Sequence, residues 1–113
     1  MAKKQSPTTT DTVVNGPARV DFIARENGPE RLVCEAEVLF GNGPLSGMKL
    51  VGFCLWRSAE GEIYVTLPSR AFGAGSDRRY FDYLRAVDAS GETIKRVKAW
   101  ILDEYRARQS EAA

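Results

Sequence analysis

The chain of 113 residues contains no histidine and only two cysteines. Without imidazole, the Cys₂His₂ and Cys₃His zinc sets cannot be assembled, and neither can Ser-His or Cys-His catalytic pairs. Charge of one sign is also missing. Sixteen Lys plus Arg stand against fifteen Asp plus Glu, a net charge of +1. Binding of polyanions by bulk charge is thereby excluded, and any nucleic-acid surface must be a local patch. No apolar run approaches the roughly 18 residues of a membrane span. The first fifteen residues carry two lysines but no apolar stretch after them, so they do not read as a secretory signal. The expected setting is soluble, reducing and cytoplasmic, with Cys34 and Cys54 as free thiols.

A hydrophobic fraction of 43% supports one domain with one core at this length, without a disulfide framework, a structural metal or a cofactor. Residues 1–17 hold three consecutive Thr, two Pro and little to bury, which predicts a flexible N-terminal arm. Residues 18–108 then form the domain, and 109–113 a frayed tail.

The periodicity of that domain is mostly two. Val20, Phe22 and Ala24 alternate with Arg19, Asp21 and Arg25, and Asn27-Gly28-Pro29 supplies a turn. Leu32, Cys34, Ala36, Val38 and Phe40 then share one face of a second strand, with Glu35 and Glu37 on the other. Met48 to Trp56 is apolar on both faces, as in a strand covered on both sides. Ser58 to Glu62 reads as a hairpin loop leading to Ile63–Leu67, which Pro68 stops. Ser69 to Asp77 reads as a small-residue loop, and Arg78 to Val87 as a fifth extended segment. From Glu92 the period becomes 3.6, with Ile94, Val97, Ile101 and Tyr105 as the inner stripe and Ser90 as N-cap. The fold class is α+β: an antiparallel meander of about five strands with one C-terminal helix packed on it.

Constellations for catalysis are weak. Ser58, Ser69, Ser76 and Ser90 have no imidazole partner, and no motif links Lys49, Lys95 or Lys98 to a serine. Glu35 and Glu37 read as solvated charges of an outer strand face rather than as an acid–base pair. Cys34 and Cys54 read as core thiols, the other reading being a redox pair. Gly73-Ala74-Gly75 reads as a hairpin tip, since it lacks the ending of a phosphate loop. No enzyme activity and no small-molecule substrate are expected.

The basic residues are more informative. Arg70, Arg78, Arg79, Arg85, Lys95, Arg96 and Lys98 fall between the Pro-Ser-Arg segment and the first turns of the helix, interleaved with Phe72, Tyr80 and Tyr83. Cations for phosphate beside aromatics for bases form a pattern suited to single-stranded or flexible nucleic acid. The other reading is an ordinary surface whose arginines pair with Asp77, Asp82, Asp88 and Glu92.

Leu50 to Tyr105 also resembles the SpoVG (stage V sporulation protein G) family. Leu67-Pro68-Ser69-Arg70 is similar to that family's Met-Pro-Ser-Lys/Arg strand end, and Phe81 to Arg85 occupies the place of its fifth strand. Ile101-Leu102-Asp103-Glu104-Tyr105 is similar to its helix end. Arg85-Ala86 stands where the family has His-Pro. The resemblance implies a small, non-enzymatic regulator that binds DNA or RNA and forms homodimers through its sheets. It carries Arg70 over by motif, and Lys95, Arg96 and Lys98 by place on the helix. The alternative function is a protein-interaction or scaffold module that acts through a sheet edge.

Overall fold

The computed structural model describes residues 18–88 and 90–112. The expected N-terminal arm of residues 1–17 lies outside the described residues, as does Ala113.

Four strands form an antiparallel meander in the order β1 (Arg19–Ile23), β2 (Leu32–Leu39), β3 (Lys49–Arg57) and β4 (Ile63–Thr66). A second sheet has two strands, β5 (Ser69–Phe72) and β6 (Arg79–Asp82), and α1 (Gly91–Ala112) closes the chain. The α+β class with one helix on an antiparallel meander is therefore the observed architecture. Residues 109–112 belong to the helix.

Turns fall where backbone chemistry demands them. Leu32 N–H donates to Pro29 O at 3.0 Å after the Asn-Gly-Pro turn. Between β3 and β4, Ser58 N–H donates to Glu62 O at 2.7 Å and closes a tight hairpin. The glycine-rich link between β2 and β3 is tied at its base, where Phe40 N–H donates to Met48 O at 2.9 Å.

Alternation decides which face is buried. Val20, Ala36, Phe53, Leu55 and Ile101 are inaccessible to solvent, and Cys34, Val38, Val65 and Leu67 nearly so. Fully burying a side chain such as Phe53 or Leu55 contributes about 1.5–3 kcal/mol. The helix covers this face with Ile94, Val97, Ile101 and Tyr105, as the 3.6 period requires. Its start is capped as the sequence predicts: Ser90 Oγ accepts from Glu92 N–H at 3.1 Å. Its end reaches the sheet margin, where Arg108 Nη2 donates to Val20 O at 2.6 Å and the guanidinium lies 5.5 Å over the Phe22 ring. The outer edge of β1 thus carries a side-chain donor from the helix, and β4 is the sheet's other margin.

Three expectations are refined. The first is β3, which among the described residues is covered on one face only: Phe53 and Leu55 are buried, whereas Val51 is 51% exposed and Cys54 and Trp56 are half-buried. The second is β2, where a register shift between Leu32 and Cys34 brings Val33 rather than Leu32 against the core. The third is the region after Pro68, which is a separate two-stranded ribbon and not a fifth strand of the main sheet. Ser69 to Phe72, read as loop, is β5, and the extended part of Arg78 to Val87 is limited to β6. Proline has no N–H for the ladder, so the β4 run ends there and the chain turns into a new sheet.

Candidate nucleic-acid interface

The ribbon is built by a turn that only glycine fits easily. Gly73 has φ +81°, and a Cβ there would lie 2.6 Å from the Asp77 carbonyl oxygen. A 3₁₀ turn over Gly75–Asp77 completes the reversal, and the strands pair in the register Ser69↔Asp82, Arg70↔Phe81, Ala71↔Tyr80 and Phe72↔Arg79. Gly73-Ala74-Gly75 is thus a hairpin tip, as its composition predicts. Tyr83 N–H donates to Pro68 O at 2.8 Å and ties the ribbon's open end.

Period two then sorts the side chains. One ribbon face carries Arg70, Phe72, Arg79 and Phe81, and the other carries Ser69, Ala71, Tyr80 and Asp82. On the first face the Phe72 and Phe81 rings meet edge to face at 5.1 Å, and the Arg70 guanidinium lies 4.6 Å over Phe72. Arg78 lies 5.8 Å over the Tyr80 ring. Beyond β6, Arg85 Nε donates to Asp82 O at 2.8 Å. Arg70, Phe72, Phe81, Asp82, Tyr83 and Arg85 border a shallow cleft of about 430 Å³. Phe72 and Phe81 are 43% and 45% exposed, and Tyr80 and Tyr83 are 66% and 64% exposed. An exposed ring beside an unneutralised guanidinium offers a π-face for a base and a donor fork for a phosphate.

The ion pairs lie elsewhere. On the outer face of the main sheet Arg25 pairs with Glu35 at 3.1 Å, Lys49 with Glu37 at 2.9 Å, and Arg19 with Asp21 at 3.2 Å. Glu35 and Glu37 therefore each hold a cation on the outer face, in line with the reading as solvated charges. Among the described residues Arg70, Arg78, Arg79 and Arg85 form no salt bridge, although Asp82 borders the same cleft as Arg70 and Arg85.

The seven basic candidates do not form one patch. Arg70, Arg78, Arg79 and Arg85 are gathered on the ribbon and its exit. Lys95 instead pairs with Glu92 at 3.7 Å on the exposed helix surface, and Arg96 donates to Thr93 Oγ1 at 3.4 Å. Lys98 turns toward the ribbon and lines a second cleft between it and β4. At 3.6 residues per turn, Arg96 sits about 200° around the axis from Lys98, so one ligand surface does not hold both easily.

The second cleft contains residues that carry no motif or spacing by which they stand out in the sequence. Trp56 stands opposite Tyr64 across the β3–β4 ladder, and its Nε1–H donates to Thr66 Oγ1 at 2.8 Å. Both aromatics look like ordinary strand residues until β3 proves to be uncovered on that side. Phe81 belongs with the ribbon rings as well, and the alternation of Arg79 to Asp82 about the Gly73–Gly75 tip is the signal that finds it.

The cysteines are poorly placed for redox chemistry. Cys34 is 6% exposed, and its thiol is pushed up to about 11, by burial first and by Cys54 and Glu35 next. Burial also raises Cys54, with Glu35 adding to the shift. Thiolate is the reactive form, and both environments oppose it. The unfolded chain's thiol, at its ordinary value of 9.0, loses its proton before the native one does, so this contribution to stability is complete below pH 9.0 and is lost as pH rises toward about 11. Urea midpoints measured across that window are expected to fall, and Cys34→Ser is expected to flatten the fall.

Among the described residues no helix is long and apolar enough to cross a membrane, and no three His, Cys, Asp or Glu side chains come together as a metal set. No family model matches the chain, and neither a curated protein nor a solved structure shows significant similarity to it.

Proposed function

We propose that this chain is a non-enzymatic regulatory protein that binds nucleic acid, DNA or RNA, through the β5–β6 ribbon, and that it works as a homodimer of the SpoVG kind. The observation that carries the reading is the set of four arginines, Arg70, Arg78, Arg79 and Arg85, which form no salt bridge among the described residues and stand beside exposed Phe72, Tyr80, Phe81 and Tyr83. Neutralised surface arginines would fit a solvated loop equally well, whereas these keep their charge for an incoming phosphate. Dimerisation through the sheet duplicates the ribbon, and two modest sites on one strand give an avidity that neither has alone.

A second reading has its own observation. Among the described residues β4 is a sheet margin with β3 as its one strand neighbour, whereas the margin at β1 is engaged by Arg108, so a partner strand would add at β4. Fluorescence anisotropy with labelled duplex DNA, single-stranded DNA and RNA at two salt concentrations separates the two. Saturable binding that weakens with salt is expected for at least one ligand, and no binding at low salt would overturn the nucleic-acid reading in favour of the sheet-edge module.

A further inference from the structure

The ribbon does not lie flat against the domain. Between it, the β4 margin and α1 is a concave space of about 520 Å³, lined by Trp56, Tyr64, Thr66, Tyr80, Asp82 and Lys98. The size lies within the ~300–1,000 Å³ of clefts that take small ligands. Three of its walls are aromatic, and they come from different elements: Trp56 from β3, Tyr64 from β4 and Tyr80 from β6. Trp56 is held in place by its hydrogen bond to Thr66, so its indole plane is fixed before anything binds. Arg78 over the Tyr80 ring fixes a second wall.

The polar groups narrow the occupant. Lys98 supplies a cation at the helix side, and Asp82 supplies an acceptor at the ribbon side. A bare phosphate or other compact anion suits Lys98 but is repelled by Asp82. An aliphatic ligand would leave both groups unanswered. A flat heteroaromatic ring with N–H donors at its edge, linked to a phosphate, satisfies all of them. It stacks on the rings, donates to Asp82 and leaves its phosphate to Lys98 and to Arg78 beside Tyr80.

We propose that the cleft bounded by Trp56, Tyr64, Tyr80 and Lys98 seats one unpaired base of a single-stranded nucleic acid. This rests on the nucleic-acid reading of the ribbon and deepens it. A base inside a duplex has both π-faces covered by its neighbours and cannot enter a walled cleft without being unstacked and unpaired. The cleft therefore selects single strands, or loops with a free base, over continuous duplex. The ribbon arginines contact backbone phosphates in either form.

The protein has two tryptophans, so Trp100→Phe leaves Trp56 as the one indole reporter. The full-length variant is titrated with a 12-nucleotide oligo-dT and with a duplex of equal length, following Trp56 emission and ligand anisotropy together. In parallel, Tyr64→Ala is titrated by anisotropy in the otherwise unaltered protein. Tyr64 is 47% exposed on β4, outside the ribbon, so its loss leaves the core and the ribbon intact. The expected result is saturable quenching of Trp56 by the single strand at the anisotropy midpoint, and no quenching by duplex. Tyr64→Ala is expected to weaken single-strand binding about tenfold, from a lost stacking partner, and to leave duplex binding nearly unchanged. Single-strand binding with unaltered Trp56 emission and no effect of Tyr64→Ala would overturn the cleft while leaving the ribbon reading in place. Absence of binding to either ligand would overturn both. Should Trp100→Phe fail to fold, the Tyr64→Ala comparison decides alone.

Discussion

Replacing Arg70 and Arg79 together by alanine is expected to weaken single-strand binding about 100-fold at low salt. The two guanidiniums share one ribbon face with Phe72 and Phe81 and form no ion pair among the described residues. Charge-assisted hydrogen bonds contribute about 1.5–3 kcal/mol each, and two lost at the lower value give roughly 3 kcal/mol. The salt dependence provides a separate check. Each phosphate contact adds about 0.7 to the slope of log K against log salt for single strands, so the double variant is expected to lose about 1.4. Fold stability is expected to change little, because β5 and β6 are exposed along nearly their whole length. Lys95→Ala is the useful contrast: Lys95 faces Glu92 on the helix surface, and its removal is expected to alter affinity far less. A double variant that binds with the wild-type slope would contradict the assignment of the ribbon.

Gly52→Val is expected to be the most damaging single change to the fold outside the core itself. Gly52 has φ +107°, a conformation that a β-branched residue adopts only under strain, and a Cβ there would lie 3.0 Å from the Pro68 Cβ. It sits in β3 where the pairing with β2 shifts register between Ala36 and Val38. Backbone strain and overpacking each cost on the order of 1–3 kcal/mol, and together about 3 kcal/mol. For a domain of this size that corresponds to a fall in Tm of about 15 °C. Gly61→Ala separates the two causes, since Gly61 has φ +89° but no atom within 4 Å of a Cβ. It is expected to cost about 1 kcal/mol. Urea unfolding of both variants checks the pair, and a Gly52→Val midpoint equal to wild type would contradict the contact with Pro68. Because Pro68 is the point from which the ribbon departs, Gly52→Val is also expected to disturb binding.

Legibility followed burial. Val20, Cys34, Ala36, Val38 and Ile101 were readable because one side of each element is covered by the core, which writes a period into the sequence. The N-cap at Ser90 and the tip at Gly73 were readable because only a few residue types meet those backbone demands. β5 was not, because Ser-Arg-Ala-Phe spans four residues with neither face buried, so no apolar alternation marks it. The uncovered face of β3 was hidden for the opposite reason: Trp56 and Cys54 look like core residues although no layer of the described residues packs over them. At the candidate site, sequence order placed the arginines and rings near one another. Which of them share a surface depended on the ribbon register and on the helix phase, and these separate Lys98 from Arg96. The Arg108 contact joins residues 88 positions apart, and no local signal carries it.

The most direct test of the central claim is the salt slope of the unaltered full-length protein on a single-stranded oligonucleotide. Four ribbon arginines engaging phosphates give an expected slope of about −3 in log K against log salt. A slope near zero, with binding intact, would place the affinity in contacts other than these arginines and contradict the account.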